Sequence, residues 1–127
     1  MNYPAELKYT ASHEWLREEG ELTVIGITDF AQDSLGDIVF INLPEPGDDV
    51  TVGESFADIE SVKAVSDVFS PVTAVVEEVN EELADAPEQI NSDPYESWII
   101  KVRTADITDY EELLDAAAYE ATCGEEA

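Results

Sequence analysis

"ADIESVKAVSDVFSPV", residues 57–72, holds one of only three lysines in a 127-residue chain that carries 31 acidic residues. Before the lysine, Phe56, Asp58 and Glu60 alternate with Ala57 and Ile59, so the two sets face opposite sides of a strand. Strand-forming residues resume near Val65 and run to Phe69, where Pro71 ends the pattern. The residues between, Ser61-Val62-Lys63-Ala64, are a turn-length connection. The stretch reads as a β-hairpin with its tip near 61–64. A lysine at such a tip is either a solvated turn residue or an attachment point. Its amine is open to a modifying enzyme, and a group joined to it can swing. A compact ammonium on a flexible stem suits an amide-linked prosthetic arm, which arginine does not.

The segments around the hairpin are also strand-like. "ELTVIGIT" (21–28), "DIVFINL" (37–43), "VTVGESFADIES" (50–61), "AVVEEV" (74–79) and "SWIIKV" (97–102) are rich in Val, Ile and Phe, with Gly and Pro between them. Short strands with frequent turn signals predict an all-β sandwich or barrel. Helical signals are few. "TDFAQDSLG" (28–36) offers Thr28 or Asp29 as N-cap and Gly36 as a stop. "NEELADAP" (80–87) allows one or two turns. Thr108 and Glu111 form a capping box for a C-terminal helix over about 108–121, with Tyr110, Leu113, Leu114, Ala117 and Ala121 as its apolar stripe. No linker interrupts the chain, which is expected to form one domain over 1–127.

The net charge of −26 restricts the partners. Neither a nucleic acid nor an anionic membrane suits it, because phosphates must be met by cations. With 44% hydrophobic residues, two Trp and five Tyr, the chain is expected to fold a core inside an acidic shell. Such a shell repels itself in dilute buffer, and at ~1 M salt the Debye length of about 3 Å screens that repulsion. The composition therefore predicts a salt-loving prokaryote. No stretch approaches the ~20 apolar residues of a membrane span, and the N-terminus resembles neither a signal nor a transit peptide. A soluble, cytoplasmic protein is expected.

The chemical inventory is sparse. His13 is the only histidine and Cys123 the only cysteine, so a closed zinc site has too few ligands. The six glycines fall into no phosphate-cradling pattern. His13 is expected to be a structural residue at a strand end, and Cys123 a thiol in the tail. Lys101 and Arg103 are two apart in a strand and are expected to pair with nearby acids, as are Lys8 and Arg17. None of these residues makes an enzyme, and Lys63 remains.

"ESVKAVSDVFSPV" resembles the lipoylation motif of glycine cleavage system H proteins. "HEW" (13–15), "GITDFAQDSLGDIVFINLPEPG" (26–47), "VNEEL" (79–83), "INSDPYESWI" (90–99) and the terminal "LLD…Y" (113–119) follow in the family's order and spacing. Two positions depart from the pattern: Ala74 and Ser97 stand where the family commonly has Gly, so the backbone there should not be left-handed. The resemblance implies a mainly β barrel-sandwich hybrid with short flanking helices. It implies lipoate in amide linkage to Lys63, with Glu60, Ser61, Val62 and Ala64 as its immediate surroundings. It implies a non-catalytic carrier that takes an aminomethyl group from glycine decarboxylase to an aminomethyltransferase and is reoxidised by dihydrolipoyl dehydrogenase. A lipoate-attaching enzyme is a further implied partner.

In that family the loaded arm is held in a cleft away from water, and a carboxylate or hydroxyl should meet its cationic amine. Ser12, Glu14 and Asp67, which flank "HEW" and "KAVSD", are the expected docking residues. Val62 and Ala64 stand where biotinyl domains usually place Met, which disfavours biotin. Lipoyl domains of 2-oxoacid dehydrogenases are shorter and lack the "HEW" segment. Two alternatives stay open: a relay that donates lipoate to 2-oxoacid dehydrogenase complexes, and an unmodified acidic interaction domain.

Overall fold

The computed structural model describes residues 3–104 and 113–126, apart from the side chains of 104 and 124–126. Among the described residues nine strands and four helices follow one another: β1 (Lys8–Tyr9), β2 (Glu14–Glu19), β3 (Leu22–Ile27), α1 (Asp29–Leu35), β4 (Ile38–Asn42), β5 (Asp49–Val50), β6 (Ser55–Ser61), β7 (Val65–Phe69), β8 (Ala74–Val79), α2 (Glu82–Asp85), α3 (Gln89–Ser92), β9 (Ile100–Thr104) and α4 (Ala116–Glu126). One sheet has six strands in the order β1-β2-β3-β9-β8-β5, and the other three in the order β4-β6-β7. All pairings are antiparallel.

The two sheets close on a shared core. Leu16, Ile25, Val76 and Val102 from the larger sheet meet Ile38, Ile41, Ile59 and Val68 from the smaller one. The larger sheet is also covered on its other face around β2 and β3. There Trp15 and Val24 join Leu7, Tyr9, Tyr95, Tyr119 and Cys123 in a second, aromatic cluster. Burial on both faces explains why "LTVIGI" is almost continuously apolar rather than alternating. Trp15 pairs with Gly26 across β2 and β3. A Cβ on residue 26 would stand 2.7 Å from the indole ring, so the tryptophan of "HEW" needs that glycine opposite it. The indole Nε1 donates to Pro94 O at 3.1 Å.

Helix α1 begins and ends as its caps predict. Thr28 Oγ1 accepts from Ala31 N at 3.2 Å, and Gly36, at φ 78°, donates its N–H to Gln32 O at 3.0 Å. Ala74 and Ser97 do not adopt the left-handed backbone: among the described non-glycine residues only His13 has positive φ. Arg17 pairs with Glu19, Lys101 with Glu19, and Arg103 with Glu21 and Glu77.

The C-terminal segment corrects two expectations. The capping box of Thr108 and Glu111 lies outside the described residues. Leu113, Leu114 and Asp115 are not helical: Leu114 and Tyr9 exchange two backbone hydrogen bonds of 2.8 Å as an isolated bridge beside β1. The helix starts at Ala116, where Asp115 Oδ1 accepts from Ala118 N at 2.8 Å as a cap. The buried face therefore carries Tyr119 and Cys123, four residues apart, while Ala117 and Ala121 are exposed. Cys123 is a core residue 4% exposed, not a tail thiol. Tyr119 is fully buried, and burial holds its phenol far above the usual range.

The Tyr119 hydroxyl ties α4 to the rest of the fold. It lies 2.7 Å from His13 Nδ1 and 2.6 Å from Thr28 Oγ1. It can donate to one and accept from the other, so both are satisfied by one group. Tyr119→Phe should lower the unfolding free energy by roughly 2 kcal/mol, because buried Thr28 and half-buried His13 both lose that hydroxyl. Urea unfolding at constant slope is the check, and an unchanged midpoint would remove this role.

Candidate functional site

The hairpin of β6 and β7 is built to hold its tip in one shape. Glu60 pairs with Val65 across the strands, and Ser61 N–H donates to Ala64 O at 2.8 Å. Ser61 Oγ accepts from both Lys63 N and Ala64 N at 3.1 Å, so a single hydroxyl organises the three-residue loop 62–64. Val62 N–H donates to Asp37 O at 3.0 Å, which straps the loop to the segment between α1 and β4. Val62, Lys63 and Ala64 are exposed, and Glu60 lies partly buried on the outer face of the sheet between Phe40 and Val65. Among the described residues no hydrogen bond or ion pair engages the Lys63 amine. A free amine on a constrained loop fits an acyl group in amide linkage.

Beside the hairpin is a cleft of about 250 Å³. One wall is the β7 side of the hairpin, where Ile59, Ser66 and Val68 share the inner face and Asp67, opposite Asp58, lies on the other face at the cleft's border. A second wall is α1, with Phe30, Ala31, Ser34 and Leu35. Ser12, His13 and Glu14 complete the lining with Ile27. The structure thus brings Ser12, Glu14 and Asp67 to one cavity, although Asp67 is far from the other two in sequence. The α1 wall and Ser66 were not among the expected site residues. The signal for the α1 wall lies in "TDFAQDSL", whose apolar positions Phe30, Ala31 and Leu35 recur at helical spacing, whereas Ser66 carries none.

Glu14 is the unusual group. It is 2% exposed at the start of β2. Its Oε1 accepts from Thr10 Oγ1 at 2.7 Å and from Ser12 Oγ at 2.6 Å, and its own N–H donates to Thr10 Oγ1 at 3.0 Å. Thr10 was also missed, since one threonine four residues before a glutamate has no distinctive pattern. Burial pushes the Glu14 carboxyl up to about 7, against the hydrogen bonds from Ser12 and Thr10 and a backbone hydrogen bond from Phe69, which favour the anion. A buried carboxyl with two hydroxyl partners in a cleft is suited to receiving a cation, which would restore the charge balance that burial disfavours.

His13 separates the cleft from the aromatic cluster. Its backbone is left-handed at φ 74°, and its ring lies 4.7 Å from Phe30 and 5.6 Å from Tyr119. It precedes β2 directly, as expected of a residue at a strand end.

Two sheets closed on one core, with a lysine on a hairpin tip, define a lipoyl-domain-like barrel-sandwich hybrid. The family model described as Glycine cleavage H-protein matches residues 7–126. A glycine cleavage system H protein of Lachnoclostridium phytofermentans is 59% identical over 121 residues, covering 94% of each chain. That of Acidobacterium capsulatum is 52% identical over 126 residues, covering 99% of this chain and 98% of its own. The crystal structure of a glycine cleavage system H protein from Mycobacterium marinum superposes with a TM-score of 0.88 at 38% identity, covering 95% of this chain and 98% of the other. The chain belongs to the glycine cleavage H-protein family. Proteins of this family are carrier subunits of the glycine cleavage system, are not themselves catalysts, and carry lipoate.

Proposed function

We propose that this chain carries lipoate on Lys63 and shuttles an aminomethyl group within the glycine cleavage system. The observation that supports it most directly is the exposed Lys63 amine on a constrained hairpin beside a cleft with a buried carboxyl. When attached, lipoate supplies a disulfide that accepts the aminomethyl fragment on one sulfur as the other becomes a thiol. The chain's own residues do the positioning. Ser61 shapes the loop that offers Lys63 to the lipoate-attaching enzyme, with Val62 and Ala64 on either side of the lysine and Glu60 near the end of β6 as the sequence it recognises. In the cleft, Glu14 meets the cationic amine of the loaded arm, with Ser12 holding the carboxylate and Asp67 adding a second negative charge. The apolar wall of Ile27, Phe30, Leu35 and Val68 excludes the water that would hydrolyse the fragment.

The partners on this reading are glycine decarboxylase, which loads the arm, the aminomethyltransferase, which unloads it, and dihydrolipoyl dehydrogenase, which reoxidises the dithiol. The compartment is the cytoplasm. Reconstitution with the three partner enzymes tests the reading: glycine decarboxylation should require this chain in its lipoylated form. Equal turnover with the unmodified chain would contradict it.

The acid excess fits a cytoplasm of high salt, and we take the source to be a salt-loving prokaryote. With five basic residues against 31 acidic ones, few of the carboxylates have a cation to pair with. The thermal midpoint should rise steadily from dilute buffer to ~1 M KCl as the Debye length shrinks to about 3 Å. Calorimetry in a KCl series reads this directly, and a flat or falling midpoint would separate the acidity from habitat.

A further inference from the structure

The side chain of Lys63 does not project freely from the hairpin. It lies over Gly36, the residue that ends α1. A Cβ at residue 36 would stand 2.8 Å from Lys63 Cε, 3.6 Å from Nζ and 3.9 Å from Cδ. The first distance is closer than a real Cβ contact allows. The seat exists only because residue 36 has no side chain, and its φ of 78° also favours glycine. The surrounding backbone is fixed from three directions. Asn91 of α3 donates to Gly36 O at 2.8 Å and to Gln32 Oε1 at 3.0 Å, and its Oδ1 accepts from Ile38 N at 2.9 Å. The strap from Val62 N to Asp37 O then joins this backbone to the lysine loop. Ser34 and Leu35, directly before Gly36, line the cleft.

We propose that Gly36 is an arm-positioning residue: its bare backbone seats the Lys63 stem and sends the attached arm along the end of α1 into the cleft. Asn91 supports the seat by pinning the backbone on either side of it. This inference rests on the carrier reading, since an unmodified lysine has no arm to direct. The far end of a lysine is flexible, so a methyl at residue 36 displaces it readily, and the stability cost of Gly36→Ala is the strain of a Cβ at positive φ. What is lost is the direction in which the stem leaves the hairpin.

Gly36→Ala in the lipoylated protein is the test, with Gly47→Ala as the control. Residue 47 also has positive φ, at 95°, but open space where a Cβ would go. It therefore carries backbone strain without obstructing the lysine. Loading the wild type with glycine and glycine decarboxylase should shift the amide resonances of Ser34, Leu35 and Ser66. The same shifts should appear in Gly47→Ala and be lost in Gly36→Ala, and hydrolysis of the loaded arm should be faster in Gly36→Ala alone, on the order of tenfold. Wild-type shifts in Gly36→Ala, with wild-type hydrolysis, would overturn the inference and leave the carrier reading intact. A Lys63 that is never lipoylated would remove both. Should Gly36→Ala fail to fold, the wild type decides: cross-relaxation between Gly36 Hα and the Lys63 Hε protons should persist after lipoylation, and its absence would overturn the seat.

Discussion

Lys63→Arg should fold as the wild type does and carry no lipoate, and reconstituted glycine decarboxylation should fall to background. Arginine keeps the positive charge and most of the stem. It cannot form the stable amide, because its guanidinium stays protonated and is a poor nucleophile. The loop does not depend on the lysine side chain: Ser61 Oγ and the strap to Asp37 hold it through backbone N–H groups. Unchanged unfolding together with complete loss of turnover is therefore the expected combination. Measurable turnover would place the attachment elsewhere, at Lys8 or Lys101. Lys101 is poorly placed for it, since it pairs with Glu19 at 3.5 Å and lies 4.8 Å from the Trp98 ring centroid.

Glu14→Gln should separate stability from cargo protection, moving them in opposite directions. In the folded protein burial raises the Glu14 carboxyl to about 7, whereas in the unfolded chain it titrates at its ordinary value of 4.5. The folded state therefore holds the proton more tightly. Stability from this group is fully present below pH 4.5, is lost as pH rises to about 7, and is constant above that. The loss amounts to roughly 3 kcal/mol. Glutamine keeps an oxygen for Thr10 and Ser12 without the charge, so the variant should be more stable at pH 8 by up to that amount and nearly pH-independent over that range. The loaded arm should fare worse. Losing a charge-assisted contact to the ammonium is worth about 2 kcal/mol, so the docked arm becomes roughly thirtyfold less populated. Unfolding at pH 5 and pH 8, with the lifetime of the loaded arm, checks both arms of this prediction. A variant that is less stable at pH 8, with an unchanged lifetime, would make Glu14 a purely structural residue.

The hairpin and α1 were legible because local rules decide them. Alternation in residues 56–60, a turn-length gap and a resumed β-branched run specify the hairpin, and Thr28 and Gly36 specify the limits of α1. β1 and β2 carry no strand signal of their own in the sequence. β1 is two residues long, and β2 ends in Arg17, Glu18 and Glu19, so its buried half of Glu14, Trp15 and Leu16 is too short to show a period. Its buried glutamate also runs against the pattern. Leu113 and Leu114 fit a helical stripe, yet the helix begins only at Ala116. The bridge between Tyr9 and Leu114 is non-local and overrides that preference. For the site, the family resemblance rather than spacing brought Ser12, Glu14 and Asp67 together. Their meeting depends on how β2, α1 and the hairpin pack, which no local window contains. The contact of Gly36 with Lys63 was hidden for the same reason, since residues 27 apart meet only when the smaller sheet forms.

Peptide mapping with intact mass of the protein isolated from its own cells, grown with a supply of lipoate, tests the carrier reading most directly. One lipoyl group on the peptide containing Lys63, and none on those containing Lys8 or Lys101, is the predicted result. A Lys63 peptide that stays wholly unmodified would contradict it and leave an acidic interaction domain built on a carrier fold.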